Sequence, residues 1–283
     1  MSQVTIENIT KVFEQSMSKD IHPRAREVLL SLVRHLHDFC REVQLTHDEW
    51  LVGIDYLTRA GQMTDDKRNE FILVSDVLGI ESLVDAISHD GGENITESSV
   101  LGPFYREGAP KLGKDASISQ RGDVDGESMR MAGKVTDPSG NPIAGATLDV
   151  WETGPDGLYE QQDAAQPDMN LRGVFTTAAD GSYAFRGVRP VSYPIPYDGP
   201  AGDILQIMGR HPYRPAHVHM IVRAPGFQSL VSQIYDTNDP YIETDSVYAV
   251  KGSLMVDFQR AAAGSEVAWE VTHDVVLNRI STP

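Results

Sequence analysis

The spacing of apolar residues near the start of the chain predicts a long amphipathic helix. Apolar side chains follow one another mostly at steps of three and four between Arg24 and Val43: Val28, Leu29, Leu32, Val33, Leu36, Phe39, Cys40 and Val43. Steps of this size line one face of a helix with 3.6 residues per turn. Pro23 stands just before the segment, where proline favours a helix start. We therefore predict a helix over residues 24–43 and expect Cys40 to be buried on its apolar face.

Two more helices are predicted within the first hundred residues. Thr46 and Glu49 have the spacing of a capping box, in which each side chain accepts a backbone N–H of the other residue at a helix start. A later helix is predicted to follow Thr64-Asp65-Asp66 and to run through residues 71–79. The first part of the chain is therefore mainly helical.

Past Pro110 the pattern changes to short β-prone runs with turn clusters between them. The runs cover residues 132–135, 146–151, 173–177, 182–185 and 217–222, and turn residues cluster at 137–142, 178–181 and 223–226. Short strands with frequent turns are typical of a β-sandwich. Alternation at Val267, Trp269 and Val271 predicts a closing strand. The chain thus falls in the α+β class, with a helical domain over residues 1–110 and a β-sandwich domain over residues 111–283.

The charge of the chain restricts its partners. Its 283 residues carry 24 Lys and Arg against 41 Asp and Glu, a net charge of -17, which argues against nucleic acid or an anionic membrane surface as the main partner. A single cysteine excludes a disulfide framework and favours a reducing compartment. The N-terminus has no apolar signal-like segment, and no run reaches the roughly 18 apolar residues of a membrane span. We expect a cytoplasmic protein.

The sharpest chemical signal is the pair His217 and His219. A strand sends residues i and i+2 to the same face, so the two imidazoles point to one place and form half of a metal site. Paired histidines also occur on solvated faces, so the remaining ligands decide the matter. Residues 220–235 contain none of the carboxylates that a facial-triad or cupin site would use, which disfavours both.

Tyrosines are the other source of oxygen ligands. Tyr159 follows a Gly-Pro-Asp-Gly turn, and Tyr193 lies in the proline-rich segment 189–196, where several φ angles are fixed. A buried tyrosine is often only part of the core. A phenol has a pKa of about 10, so it binds as phenolate near neutral pH only to a strong Lewis acid. Iron(III) is such an ion.

Five separated motifs resemble the intradiol ring-cleavage dioxygenases of the catechol and hydroxyquinol 1,2-dioxygenase group. They are LGPFYREGAP (101–110), DVWETGPDGLY (149–159), GVRPVSYPIPYDGPAG (187–202), RHPYRPAHVHMIVRAPGF (210–227) and SQIYD (232–236). The resemblance extends over roughly residues 45–260, with the motifs in the family's order. It implies dioxygen-dependent cleavage of an aromatic diol between its two hydroxyl-bearing carbons.

The same resemblance implies roles for particular residues. One iron(III) per subunit would be held by Tyr159, Tyr193, His217 and His219. Tyr193 would be the ligand that leaves on substrate binding and takes a substrate proton. Arg214 would stabilise charge on the ring, and Gln233 would lie next to the iron ligands. The resemblance also implies a homodimer joined through the N-terminal helices, which in this family can enclose a phospholipid.

The substrate pocket is likewise inferred from the resemblance. Its walls would be Leu73, Asp76, Val100, Leu101, Gly102, Pro103, Phe104, Ile195, Pro196, Arg214 and Val247. Asp76 stands out, because it lies in the otherwise apolar stretch 71–78 and could accept a hydrogen bond from a third ring hydroxyl. It favours hydroxyquinol as substrate, with maleylacetate, the keto form of 3-hydroxy-cis,cis-muconate, as product. Catechol and chlorocatechols, which give cis,cis-muconates, are the alternatives.

Two other classes of protein share part of this pattern. Residues 133–151 also resemble transthyretin-like β-sandwich binding modules, but those modules lack the two tyrosines and two histidines. A zinc hydrolase built on His217 and His219 would need neither Tyr193 nor dioxygen. A red-brown, iron-containing protein is the outcome that distinguishes the dioxygenase from both.

Overall fold

The chain divides into two compact units that meet between Arg59 and Ala60. The computed structural model describes residues 3–65, 68–89, 94–122 and 126–280. The boundary predicted at residue 110 lies where the sequence changes from helical to β-prone patterns. As a domain boundary it stays a prediction.

The N-terminal unit is helical. It contains α1 (Ile9–Ser16), α2 (Pro23–Glu42) and the start of α3 (His47–Met63). The predicted bounds of α2 are confirmed to within one residue, with Pro23 in its first turn. The capping box is also present: Glu49 N–H donates to Thr46 Oγ1 at 3.3 Å, and Thr46 N–H donates to Glu49 Oε2 at 2.9 Å.

The expected burial of Cys40 is wrong for the single chain, since the apolar face of α2 is exposed. Cys40 is a free, exposed thiol. Leu32 and Phe39 on the same helix are 52% and 50% exposed. The periodicity therefore marks an apolar surface that the single chain leaves in contact with solvent.

The helix predicted through residues 71–79 is present as α4 (Glu70–Val77), and a further short helix, α5 (Ile80–Ser88), follows it. Gly79 separates them with φ at 70°. The side chain of Asn69 caps α4 by accepting the N–H of Ile72 at 3.2 Å. Helix α4 thus follows residues 64–66 as predicted, and Thr64 Oγ1 accepts the N–H of Glu70 at 3.1 Å, while Asp66 lies outside the described residues. Across the described part of the chain, no helix is long and apolar enough to cross a membrane.

The other described strands of the second unit form two five-stranded sheets and a strand pair, and helix α6 (Pro200–Ile207) lies between the two strands of that pair in the sequence. The first sheet contains β1 (Ser128–Thr136), β4 (Ser182–Val188), β10 (Gln259–Arg260), β11 (Trp269–Thr272) and β12 (Val275–Val276). The second has the order β3-β2-β7-β8-β9, from β2 (Thr147–Trp151), β3 (Arg172–Thr176), β7 (His217–Arg223), β8 (Leu230–Asp236) and β9 (Met255–Val256). The pair consists of β5 (Tyr193–Pro194) and β6 (Tyr213–Arg214). In the first sheet, β1 pairs with β4, β11 and β12. This confirms the predicted helical part followed by a sheet-rich domain.

The core lies between the two sheets and decides which face of β7 is free for chemistry. Met131 and Phe185 of the first sheet pack in one apolar cluster with Val218, Met220 and Val222 of β7. Because side chains alternate along a strand, the residues between these three point to the opposite face. Those residues are His219 and Ile221, and His217 precedes them on the same face.

Candidate metal centre and active site

The outer face of the second sheet holds a group of aromatic and polar side chains in register. His219 lies opposite Trp151 on β2 and opposite Gln233 on β8, while His217 lies opposite Tyr235. The rings of His219 and Trp151 are stacked, with centroids 4.7 Å apart and planes inclined by 8°. Strand pairing thus assembles five functional side chains from three strands, as cross-strand neighbours do in antiparallel sheets.

The two predicted tyrosine ligands meet the two histidines above this face. Tyr193 Oη lies 3.0 Å from Tyr159 Oη and 3.3 Å from His217 Nε2. His217 Nε2 lies 3.2 Å from His219 Nε2. All four residues are buried, the most exposed of them at 5%. A Cβ at Gly157, in the turn before Tyr159, would lie 2.6 Å from the Cβ of Tyr193, so the close approach of the two segments requires glycine there.

The ring of His217 presents a lone pair to this centre. Its Nδ1 lies 2.7 Å from the carbonyl oxygen of Pro215, which can only accept, so Nδ1 carries the proton. Burial, together with the charge of Arg214, lowers the pKa of His217 well below its usual value, so the ring is neutral. Nε2 is therefore unprotonated, as in a metal-ligating histidine held by a carbonyl behind it.

These four residues fit a strongly charged, hard metal ion. Burial raises the pKa of both Tyr159 and Tyr193, so each is a neutral phenol unless a Lewis acid takes the proton's place. Burial lowers the pKa of His219 as well. Among the described residues, no three of His, Cys, Asp or Glu come close enough to bind a metal. A metal here would therefore need the tyrosines, and two phenolates with two neutral imidazoles suit a trivalent ion.

Arg214 lies beside the four residues, and three polar side chains surround its Nε and Nη2. Its Nη1 is 3.2 Å from His217 Nε2, and its Nη2 donates to Gln233 Oε1 at 2.8 Å and to Tyr235 Oη at 3.1 Å. Its Nε donates to Asp245 Oδ1 at 3.1 Å. Burial alone lowers the pKa of a guanidinium, but Asp245 and the nearby phenols raise that of Arg214 well above the usual value. Arg214 is a permanent buried cation.

A narrow, mostly enclosed cavity of about 20 Å³ lies beside this centre, and its lining contains most of the predicted pocket. Its lining consists of Leu73, Asp76, Val100, Gly102, Pro103, Phe104, Tyr193, Ile195, Pro196, Arg214, His219 and Val247. Of the predicted walls, Leu101 alone lies outside this lining, with a side chain that is 37% exposed. The cavity therefore brings an apolar slot, a cation and two of the candidate metal ligands together.

Asp76 is the carboxyl group of this cavity. It is 3% exposed, and its Oδ1 has no hydrogen-bond partner among the described residues. Burial, followed by a hydrogen bond between the carboxyl groups of Asp76 and Glu81, raises the pKa of Asp76 to about 9. The structure thus places an unpaired acceptor where an aromatic substrate would lie.

Three residues of the site are absent from the sequence prediction: Trp151, Tyr235 and Asp245. Tyr235 is two residues from Gln233 on β8, so strand alternation could have found it. Trp151 can be found only from the pairing of β2 with β7. Asp245 lies in an irregular segment, and nothing in its neighbourhood along the chain points to Arg214.

Comparison with known proteins identifies the same class. A family model for the catechol dioxygenase N terminus matches residues 22–95, and a dioxygenase model matches residues 100–279. A hydroxyquinol 1,2-dioxygenase of Rhizobium sp. is 47% identical over 91% of this chain and 90% of its own length. A catechol 1,2-dioxygenase of Candida albicans is 47% identical over 92% of this chain and 85% of its own.

The fold matches a solved enzyme closely. The crystal structure of a hydroxyquinol 1,2-dioxygenase from Pseudomonas putida has a TM-score of 0.91 and 41% identity, and the match covers 97% of this chain and 99% of that one. The β-sandwich, the helical part and the cluster of two tyrosines and two histidines are together the features of an intradiol ring-cleaving enzyme. The chain belongs to the intradiol ring-cleavage dioxygenase family. The predicted resemblance is confirmed, and a binding module without catalysis is excluded.

Proposed function

We propose that this dioxygenase cleaves hydroxyquinol, benzene-1,2,4-triol. The C–C bond between its adjacent hydroxyl-bearing carbons breaks, and each of these carbons gains one atom of dioxygen and becomes a carboxyl carbon. The product is 3-hydroxy-cis,cis-muconate, whose keto form is maleylacetate. Dioxygen takes up four electrons from the substrate, so no further reductant is needed. The unpaired Oδ1 of Asp76 is the observation that carries the choice of substrate.

Asp76 would recognise the third hydroxyl of the substrate. A neutral carboxyl group at neutral pH is consistent with the raised pKa, and its Oδ1 accepts a hydrogen bond from a phenol. A buried acceptor that stays unpaired carries a desolvation penalty of about 1–3 kcal/mol. A substrate that satisfies it is therefore favoured over one that does not.

We infer that one iron(III) per subunit is held by Tyr159, Tyr193, His217 and His219. The convergence of their oxygen and nitrogen atoms at 3.0–3.3 Å and their donor chemistry support this set. When bound, iron(III) supplies the Lewis acidity that lowers the pKa of the phenols and of the substrate diol.

The side chains around the metal would act on charge and protons. Tyr193 Oη would receive a proton of the incoming diol, since it lies in the cavity wall as well as among the ligands. Arg214 Nη1 faces the same place and would stabilise negative charge on the ring. Gln233 would hold Arg214 through its Oε1. The apolar walls, among them Leu73 and Ile195, would exclude water and keep the ring in position.

Catechol is the second candidate substrate, and a chlorocatechol is related to it. A catechol dioxygenase is among the most similar relatives, and apolar walls accept an unsubstituted ring. Catechol would leave the Oδ1 of Asp76 unpaired. The two candidate substrates therefore differ in whether a ring hydroxyl forms a hydrogen bond with Asp76.

The test is an anaerobic titration of the iron-loaded enzyme with hydroxyquinol and with catechol, followed by admission of oxygen. We expect the visible tyrosinate band to shift with both diols and kcat/KM to favour hydroxyquinol. In Asp76→Leu the hydroxyquinol advantage should fall by about 5- to 150-fold, because pairing a buried and otherwise unsatisfied acceptor contributes about 1–3 kcal/mol. An equal preference in parent and variant contradicts the assignment of hydroxyquinol. A missing band after iron reconstitution contradicts the iron site itself.

We further propose a homodimer formed through the N-terminal helices, with a phospholipid bound at the interface. The support is the exposed apolar face of α2, which includes Leu29, Leu32 and Phe39. Light scattering should give twice the mass of one chain, and mass spectrometry of an organic extract should detect the lipid. Leu32→Asp should yield monomers with unchanged secondary structure. The cytoplasmic location also stays a prediction.

A further inference from the structure

Arg214 is held on one side only, which leaves a defined nitrogen for the reaction. Nε and Nη2 are taken by Asp245, whose two oxygens lie 3.1 and 3.3 Å away, and Nη2 also donates to Gln233 and Tyr235. Nη1 lies opposite this group and contacts His217 Nε2 at 3.2 Å. In the proposed site the lone pair of His217 Nε2 binds the metal. Arg214 Nη1 then has no acceptor in His217, and it is the nitrogen that remains for the substrate.

Asp245 is itself fixed to the backbone. Its Oδ1 accepts the N–H of Val247 at 3.3 Å, and its Oδ2 accepts the N–H of Ala249 at 3.0 Å. Val247 lines the substrate cavity. One carboxylate thus fixes both the plane of the guanidinium and a wall of the cavity.

The burial of the pair gives Asp245 a role that neutral partners cannot fill. The side chains of Arg214 and Asp245 are only 4% and 3% exposed. A cation without water needs a counter-ion, and a carboxylate that meets both Nε and Nη2 also fixes its direction. Gln233 and Tyr235 contribute direction but no charge.

We propose that Asp245 is a positioning residue of the ring-cleavage reaction: it holds Arg214 so that Nη1 faces the reacting ring. The proposal rests on the intradiol activity and on the role of Arg214 as a charge-stabilising group. It concerns a residue that contacts neither the metal ligands nor the ring. Its effect should therefore pass through Arg214.

The first measurement compares Asp245→Asn with the parent enzyme, with rates normalised to bound iron. We expect kcat to fall by about 100-fold, as displacement of a catalytic group by about 1 Å can do. The anaerobic dissociation constant of hydroxyquinol should change by less than about threefold, because the amide oxygen retained in Asp245→Asn can still accept the N–H of Val247, so that the cavity wall and Asp76 stay in place. A purely structural role would lower the yield or the melting temperature and leave kcat per iron unchanged, and that result would overturn the proposal.

Asp137→Asn is the matched control. Asp137 is also a buried carboxylate that accepts backbone N–H groups, from Ser139 and Asn141, and pairs with an arginine, Arg279. It takes no part in the cavity. We expect it to lose stability while it keeps the parent kcat per iron.

A double-mutant cycle tests the route through Arg214. In an Arg214→Met background, Asp245→Asn should lower kcat by less than about threefold, because the group that it positions is gone. A further 100-fold loss in that background contradicts the proposal. The double variant has no unpaired buried charge and should fold.

Asp245→Glu covers the case in which Asp245→Asn does not fold. It keeps the charge but moves the carboxylate by one methylene, so kcat should fall by about tenfold with iron content unchanged. Parent-level turnover in this variant would overturn the proposal. If the parent enzyme cleaves no diol at all, the proposed function fails instead, so the two failures are distinguishable.

Discussion

At the scale of single residues, the site depends on groups whose charge is set by burial. Asp76 is neutral where an exposed aspartate would be charged, and Arg214 keeps its charge only because Asp245 lies beside it. His217 is held in one tautomer by the carbonyl of Pro215. Each of these states follows from the surroundings of a side chain, so each can be tested by a substitution that preserves shape.

The stability of Asp76→Asn relative to the parent should increase as the pH rises. The pKa of Asp76 is 3.8 when unfolded and about 9 when folded, so the folded chain retains a proton that the unfolded chain has lost. The stability contributed by the neutral acid is complete below pH 3.8 and is lost progressively up to about pH 9. The free energy of unfolding of Asp76→Asn relative to the parent should therefore grow between about pH 5 and pH 9, by at most about 1.4 kcal/mol per unit.

Urea unfolding across that range measures this difference. Asp137→Asn is the control, because its partners, Arg279 first among them, lower the pKa of Asp137 to about 2. Both folded and unfolded states are then ionised above about pH 5, and the control difference should be flat. A flat difference for Asp76→Asn as well would mean that Asp76 is ionised in the folded protein.

Gly102→Ala should weaken metal binding by crowding His219. Gly102 has φ at +75°, and a Cβ there would lie 3.2 Å from the Cε1 of His219. Gly108→Ala is the matched control, because Gly108 has φ at +89° but nothing within 4 Å of its Cβ position. Both variants should lose about 1–2 kcal/mol through backbone strain.

Iron content after dialysis and melting temperature separate these two effects. We expect Gly102→Ala to retain less iron than the parent and Gly108→Ala to retain as much. Equal iron in both variants would show that His219 tolerates the added methyl group.

At the scale of elements, strand register decides which side chains meet and short helices complete the pocket. The pairing of β2, β7 and β8 brings Trp151, His217 and Tyr235 to one face. Helix α4 contributes Leu73 and Asp76 to the cavity. Its eight residues are too few to be stable alone, so its cap and its packing hold it in place.

Removal of the α4 cap should therefore affect substrate binding. Asn69→Ala should cost about 1 kcal/mol and raise KM for the diol, because α4, which carries Leu73 and Asp76, frays without its cap. Thr46→Ala removes a cap of similar strength from α3, outside the cavity, and should leave KM unchanged. Thermal unfolding and steady-state kinetics of both variants provide the comparison. An unchanged KM in Asn69→Ala would show that the pocket does not depend on this cap.

At the scale of the whole molecule, metal binding should contribute to folding. The four proposed ligands come from β5, β7 and the segment after β2, so a bound ion links parts of the second unit that are distant in sequence. Free iron at about 100 times its dissociation constant would stabilise the folded state by about 2.7 kcal/mol. Chelation should therefore lower the melting temperature by about 5–10 °C. Tyr159→Phe/His219→Gln should show no such shift, and an unshifted parent would argue against a metal at these residues.

The sequence determined much of this protein, because local patterns specify local structure. The periodicity of residues 24–43 predicted α2, and the spacing of Thr46 and Glu49 predicted a capping box. The alternation along the strand predicted that His217 and His219 share one face. The proline-rich segment around Tyr193 and the order of the five motifs indicated the family, which the family models confirm. The substrate preference also began with one polar residue, Asp76, in an apolar stretch.

Which groups influence one another depends instead on long-range packing. The pairing of β2 with β7 places Trp151 against His219, and the packing of an irregular segment brings Asp245 to Arg214, 31 residues away. It also leaves Leu101 outside the cavity and Cys40 exposed. Contacts of this kind depend on long-range packing, and no periodicity along the chain records them. Burial then fixes the charges of Asp76, Arg214 and His217, because the protonation of a side chain depends on what surrounds it in space.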